Sequence, residues 1–131
     1  MRQILIYPML DDRTTGPDPA IEPFLAWNYD DNVTGWGCLL GDRAGTPDVP
    51  IYAAPARAEN LAGVASAYIE VGQLDAFRDE DVAYAGRLSA AAVEVELIVR
   101  PGVPHDFEVL APDADVTRRA AADRARVLAA V

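Results

Sequence analysis

Apolar positions gather in three short runs, and each is followed within two residues by proline or glycine. Gln3-Ile4-Leu5-Ile6-Tyr7 stops at Pro8, Tyr68-Ile69-Glu70-Val71 stops at Gly72, and Val95 to Val99 gives way to Arg100-Pro101-Gly102. Continuous β-branched and aromatic runs of this length predict strands, the first of them buried on both faces as in a parallel sheet. Helical spacing appears elsewhere. Asp79 to Ala92 predicts a helix with acids in its first turn, where the macrodipole favours them, and with Val82, Ala85, Leu88 and Ala92 on one face. Asp115 to Val131 predicts a terminal helix whose stripe is Val116, Ala120, Val127 and Leu128, with its arginines facing water.

Between the first and second strands the pattern loosens. Asp11 to Pro19 is polar and broken by Gly16, Pro17 and Pro19, so it predicts a loop. Ile21 to Tyr29 predicts a short helix burying Phe24, Leu25 and Trp27. Asp30 to Pro50 holds four glycines and two prolines and predicts an irregular excursion with one helical turn near Trp36 to Leu40. Excursions of that length line a site or meet a partner. The order is therefore strand, excursion, strand, helix, strand, helix. Strands separated by helices imply crossovers and a parallel sheet, so the fold class is α/β. Three strands make a thin sheet, and the first lacks a neighbour on its far side.

Composition narrows the functional classes. The chain has 131 residues, 51% hydrophobic and 24% charged, which is a soluble balance with room for one core. Asp and Glu number 21 against 11 cations, all arginine, and the net charge of −10 repels phosphate backbones, which argues against nucleic acid as a partner. The longest apolar stretch, Ile4 to Leu10, contains Pro8 and falls far short of the about 20 residues a membrane span needs. No leader pattern follows Met1, so the cytoplasm is the expected compartment. A single cysteine, Cys38, forms no internal disulfide and is expected to be a small buried apolar residue beside Leu39 and Leu40.

Ligands in open α/β sheets collect outside the carboxyl ends of the strands. Two loops there carry chemistry, Gly72 to Glu80 after the second strand and Arg100 to Glu108 after the third. Adjacent parallel strands lie about 5 Å apart, so a carboxylate such as Asp75 on one loop can meet the chain's one histidine, His105, on the other. Such a pair holds an imidazole in one tautomer and stabilises its charged form, which a general base for a hydroxyl nucleophile requires. Spacing alone leaves open that His105 is a structural or surface residue.

At these residues the sequence resembles a known family. Tyr7-Pro8-Met9-Leu10-Asp11-Asp12-Arg13 resembles the sixth strand and following loop of hormone-sensitive-lipase-like carboxylesterases, members of the α/β-hydrolase superfamily. Trp36 to Gly41 and Tyr52 to Ala58 resemble the stretch before the seventh strand. Gly72 to Glu80, with Tyr84 and Leu88, is similar to the acid-loop motif, and Val95-Glu96-Leu97 with Pro101 to Phe107 to the eighth strand and histidine loop. The resemblance implies that residues 1–131 are the C-terminal part of an α/β-hydrolase domain, with three parallel strands and flanking helices. It implies Asp75 as triad acid, His105 as triad histidine, a small carboxylic ester as substrate and no cofactor. It also implies a homodimer through Glu94–Arg100 and the last helix, Ala114–Val131. Four positions depart from the pattern: Asp106 and Ala92 stand where glycine is usual, and Ala65-Ser66 where Pro-Pro is usual.

One part of the pattern is absent. The family's Gly-x-Ser-x-Gly elbow and His-Gly-Gly-Gly oxyanion stretch precede its sixth strand, and neither occurs here. The two serines, Ser66 and Ser89, have no elbow around them. The expectation is a chain that carries two triad members without the third and is inactive alone. The missing half is then lost, left outside a misplaced gene start, or carried on another chain. A silent module serving assembly or binding is the alternative. Trp27, Trp36 and Phe24 either line an acyl pocket or seal the excursion onto the sheet. Asp11-Asp12 and Asp30-Asp31 read as solvated loop charges, with Asp11 or Asp12 expected to bond loop amides, because one histidine and one cysteine do not make a metal centre.

Overall fold

The computed structural model describes residues 1–130; Val131, the expected end of the last helix, lies outside them. Three parallel strands, β1 (Arg2–Ile6), β2 (Ser66–Gly72) and β3 (Val95–Arg100), form one sheet in the order β1-β2-β3. The helices are α1 (Tyr29–Leu40), α2 (Arg78–Ala90), a single turn α3 (Phe107–Leu110) and α4 (Asp115–Leu128).

Register decides what each face of the sheet meets. Leu5, Ile69 and Leu97 stand side by side, and they pack with Ala67 against Tyr84, Ala85 and Leu88 of α2. Val82, expected on that face, is exposed instead, and Ala92 lies past the helix end. The opposite face carries Ile6, Glu70 and Ile98 in register and is tied to α4 by charge. Glu70, fully buried in the central strand, accepts from Arg124 Nη2 at 2.7 Å, from Arg100 Nη2 at 2.7 Å and from the Tyr68 hydroxyl at 2.6 Å. A carboxylate so placed holds because charged donors saturate its oxygens. Arg124 thus turns inward, contrary to the expectation that the α4 arginines face water. Leu128 of the expected stripe is exposed, while Ala120 and Val127 are buried.

The excursion is more ordered than its composition suggests. No α-helix forms over Ile21–Tyr29, where only a 3₁₀ turn, Glu22–Phe24, appears. The helix starts where that segment was expected to end. Asn28 accepts the Asp31 N–H at 3.0 Å while Asp31 accepts the Asn28 N–H at 3.0 Å, a reciprocal cap that launches α1. Gly35 sits in close packing inside it: a Cβ there would lie 3.3 Å from the Met9 Cε and 3.4 Å from the Trp27 ring. On its other side α1 buries Trp36 and Leu40 against Val49 and Ala54, making a second core. Cys38 faces solvent on α1 and is not buried. Asp12 is buried as well, bridging Arg57 at 2.6 Å and accepting the Gly45 N–H at 2.6 Å, so it pins the excursion rather than lying solvated in a loop.

Candidate active site

The loops after β2 and β3 are joined by backbone before any side chain meets. Gln73 N–H donates to the Arg100 carbonyl at 2.8 Å, and Leu74 N–H to the Val103 carbonyl at 3.0 Å. Gly102 N–H donates to Gln73 Oε1 at 2.9 Å. The approach is so close that a Cβ on Gly72 would sit 2.4 Å from the Val103 carbonyl oxygen. Only glycine fits there.

That seam brings Asp75 and His105 together. Asp75 Oδ2 lies 3.0 Å from His105 Nδ1, and Oδ1 accepts the Phe77 N–H at 3.0 Å, so the buried carboxylate is aimed by a backbone donor. The imidazole is 14% exposed. Its ring packs on Tyr7 at a centroid distance of 4.4 Å, edge-on to Phe77 at 5.4 Å and near Trp27 at 6.0 Å. With Nδ1 engaged by Asp75, Nε2 is the nitrogen left to exchange a proton with a substrate or nucleophile.

Beside the ring is a cavity of about 350 Å³ lined by Ile6, Tyr7, Met9, Trp27, Phe77 and His105. Of the three aromatics considered for an acyl pocket, Trp27 borders this cavity. Trp36 is sealed into the second core, and Phe24 is exposed on its 3₁₀ turn. Tyr7, Met9 and Phe77 were not singled out as pocket residues. The signal for Tyr7 was available, since it directly follows a strand's carboxyl end.

Asp106, directly after the histidine, has φ +54°, a left-handed conformation that asparagine and aspartate tolerate better than other side chains. This accounts for glycine at that position in the family and for aspartate here. Glu80 ties the loop after β1 to the start of α2: it accepts the N–H groups of Leu10 and Asp11 at 2.6 and 3.1 Å and the Thr14 hydroxyl. Burial pushes its carboxyl up to about 7. Among the described residues no three His, Cys, Asp or Glu side chains converge as metal ligands would. No described helix is long and apolar enough to cross a membrane.

A family model described as alpha/beta hydrolase fold matches residues 1–109. The chain belongs to the α/β-hydrolase family. Within it, the resemblance to hormone-sensitive-lipase-like esterases extends to solved structures. A bacterial heroin esterase is 38% identical with a TM-score of 0.82, over 93% of this chain and 39% of its own. Esterase LipW from Mycobacterium marinum is 32% identical with a TM-score of 0.82, over 98% of this chain and 40% of its own. An ethyl acetate hydrolase from Pseudomonas putida is 30% identical over 80% of this chain. The chain spans 33% of that relative's length.

Proposed function

We propose that this chain supplies the acid and the histidine of a carboxylic ester hydrolase, with Asp75 orienting His105 for a serine on a segment outside these 131 residues. The observation that carries the reading is the 3.0 Å contact between a buried Asp75 and His105 beside an apolar cavity. In this reading β1, β2 and β3 correspond to the sixth to eighth strands of the family, so the open edge of β1 is where the serine-bearing part docks. His105 Nε2 takes the serine proton as the hydroxyl attacks the ester carbonyl, then returns it to the departing alcohol. Water, activated by the same nitrogen, releases the acid. Esterases among the relatives support an ester substrate, and the small apolar cavity fits a short acyl or alcohol group.

The test is a chimera in which this chain replaces the 39% of the bacterial heroin esterase that it matches, the remainder carrying the serine elbow that the resemblance implies. The chimera is expected to hydrolyse short nitrophenyl esters. His105→Ala should lower kcat/KM by about 10⁴-fold or more, and Asp75→Asn by about 10³- to 10⁴-fold. A folded chimera that is silent, or one indifferent to His105, refutes the reading.

A second reading, a non-catalytic assembly module, draws on the absence of any Gly-x-Ser-x-Gly run in these residues. Its surface would be the free edge of β1, or β3 with α4, where Val99 and Leu128 are exposed. An active chimera would exclude it.

A further inference from the structure

Asp75 holds one nitrogen of His105, and the orientation of the ring is set by what packs on it: Tyr7, the nearest at 4.4 Å, with Phe77 and Trp27 farther off. Tyr7 is itself held in an unusual way. It has φ +36°, a conformation that costs a non-glycine residue energy and persists only where surroundings impose it. Its N–H donates to the Glu70 carbonyl at 2.6 Å and its hydroxyl to Glu108 Oε1 at 2.5 Å. Glu108 lies on α3, three residues past His105.

The hydroxyl anchor is shared with a guanidinium that also holds the side chain of Glu70. Arg124 of α4 donates from Nη1 to Glu108 Oε1 at 2.5 Å, and from Nε and Nη2 to Glu70 Oε1 at 3.1 and 2.7 Å. It also lies over the Tyr7 and Phe107 rings at 5.7 and 5.9 Å. Arginine suits this task because its planar fork serves two carboxylates and a ring face at once, which a lysine ammonium cannot.

We infer that Arg124 is a positioning residue for His105, acting through Glu108 and Tyr7 to lock the imidazole against Asp75. The C-terminal helix therefore does more than cover the sheet: it sets the ring of the proposed base. The inference rests on the triad reading above and extends it to residues that touch neither substrate nor the reacting atoms.

The chain's one histidine makes the test direct, because an imidazole label reports a single site. The full chain, without a histidine tag, is labelled uniformly with ¹⁵N, and exchange of the imidazole Nδ1 proton with water is followed by NMR beside the amides of Ile69 and Val71. In the parent chain that proton should be protected. In Tyr7→Phe, which keeps the ring and removes only the hydroxyl, and in Arg124→Gln, it should exchange at least about tenfold faster while the β2 amides keep their protection. Arg124→Lys should not restore it.

Equal protection in the parent and Tyr7→Phe overturns the inference and leaves the Asp75–His105 pair standing. An unprotected proton in the parent chain removes the pair itself and with it the triad reading. A purely structural role for Arg124 would instead raise exchange at His105 and in β2 together, which also overturns the inference. Should Arg124→Gln fail to fold, because Glu70 then keeps Arg100 as its one cation, Tyr7→Phe decides alone.

Discussion

Asp75, Glu80 and Asp81 are all buried within one loop-to-helix segment, yet their surroundings treat them differently. Asp75 has a histidine and a backbone N–H as partners, and Glu80 has two N–H groups and a hydroxyl. Asp81 has none: both of its oxygens are buried without a hydrogen-bond partner. Burial first, then the neighbouring Glu80 and Asp75, push its carboxyl up to about 10, so it stays protonated at neutral pH. Once unfolded, Asp81 ionises near its usual 3.8 and Glu80 near 4.5. The folded chain therefore holds protons that the unfolded chain has released, and stability falls as pH rises from about 4, through about 7 for Glu80 and further for Asp81. Asp81→Asn keeps the shape and removes the ionisation. It should raise the urea midpoint at pH 8 by an amount equivalent to about 1–3 kcal/mol, with the gain shrinking towards pH 4. A variant less stable at every pH would mean that Asp81 is ionised and paired.

At the scale of elements, the ends of helices separate what was legible in the sequence from what was not. The strands were legible as short runs rich in β-branched and aromatic residues, each closed by a proline or glycine, although it is the central β2 that is buried on both faces, while β1, expected to be so, is a half-buried edge strand. α1 was legible only in its last turn, Trp36 to Leu40. Its cap uses Asp31 rather than the usual Glu or Gln, and Gly35 and Gly37 inside it read as loop, although Gly35 packs closely on Met9 and Trp27. The departures at Ala92 and Asp106 have one explanation, since both positions take positive φ. Ala92, with φ +58°, follows the end of α2, where glycine carries no Cβ penalty. Ala92→Gly should therefore stabilise the chain by about 0.5–1 kcal/mol despite the added chain entropy of glycine, read as a higher urea midpoint. A lower midpoint would mean that the alanine methyl packs usefully.

For the molecule as a whole, the sheet sets which groups can meet. Asp75 and His105 lie beyond the carboxyl ends of β2 and β3, while Ser66 begins β2 at the opposite end. A seven-residue strand at about 3.3 Å per residue separates Ser66 from the acid loop by roughly 20 Å. Ser89 sits in the last turn of α2 and Cys38 on the outer face of α1. The isolated chain should accordingly hydrolyse a nitrophenyl ester no faster than its His105→Ala form. Turnover lost in that variant would mean that the chain rearranges to bring one of these three groups to the histidine. Position after a strand made a meeting of Asp75 and His105 legible from topology, while their roles were read from the family resemblance. Tyr7 could be placed near them by the same rule, but its link to Glu108 and Arg124 could not, because an ion network spanning a strand, a helical turn and a distant helix leaves no spacing in the sequence.

The backbone seam between the two loops has a consequence for descent. Since Gly72 admits the Val103 carbonyl and the loops share their hydrogen bonds, neither loop can lengthen or drift without carrying the other along. The stretch from Ser66 to Phe107 is then a heritable cassette: any gene rearrangement that preserves it delivers Asp75 and His105 already paired.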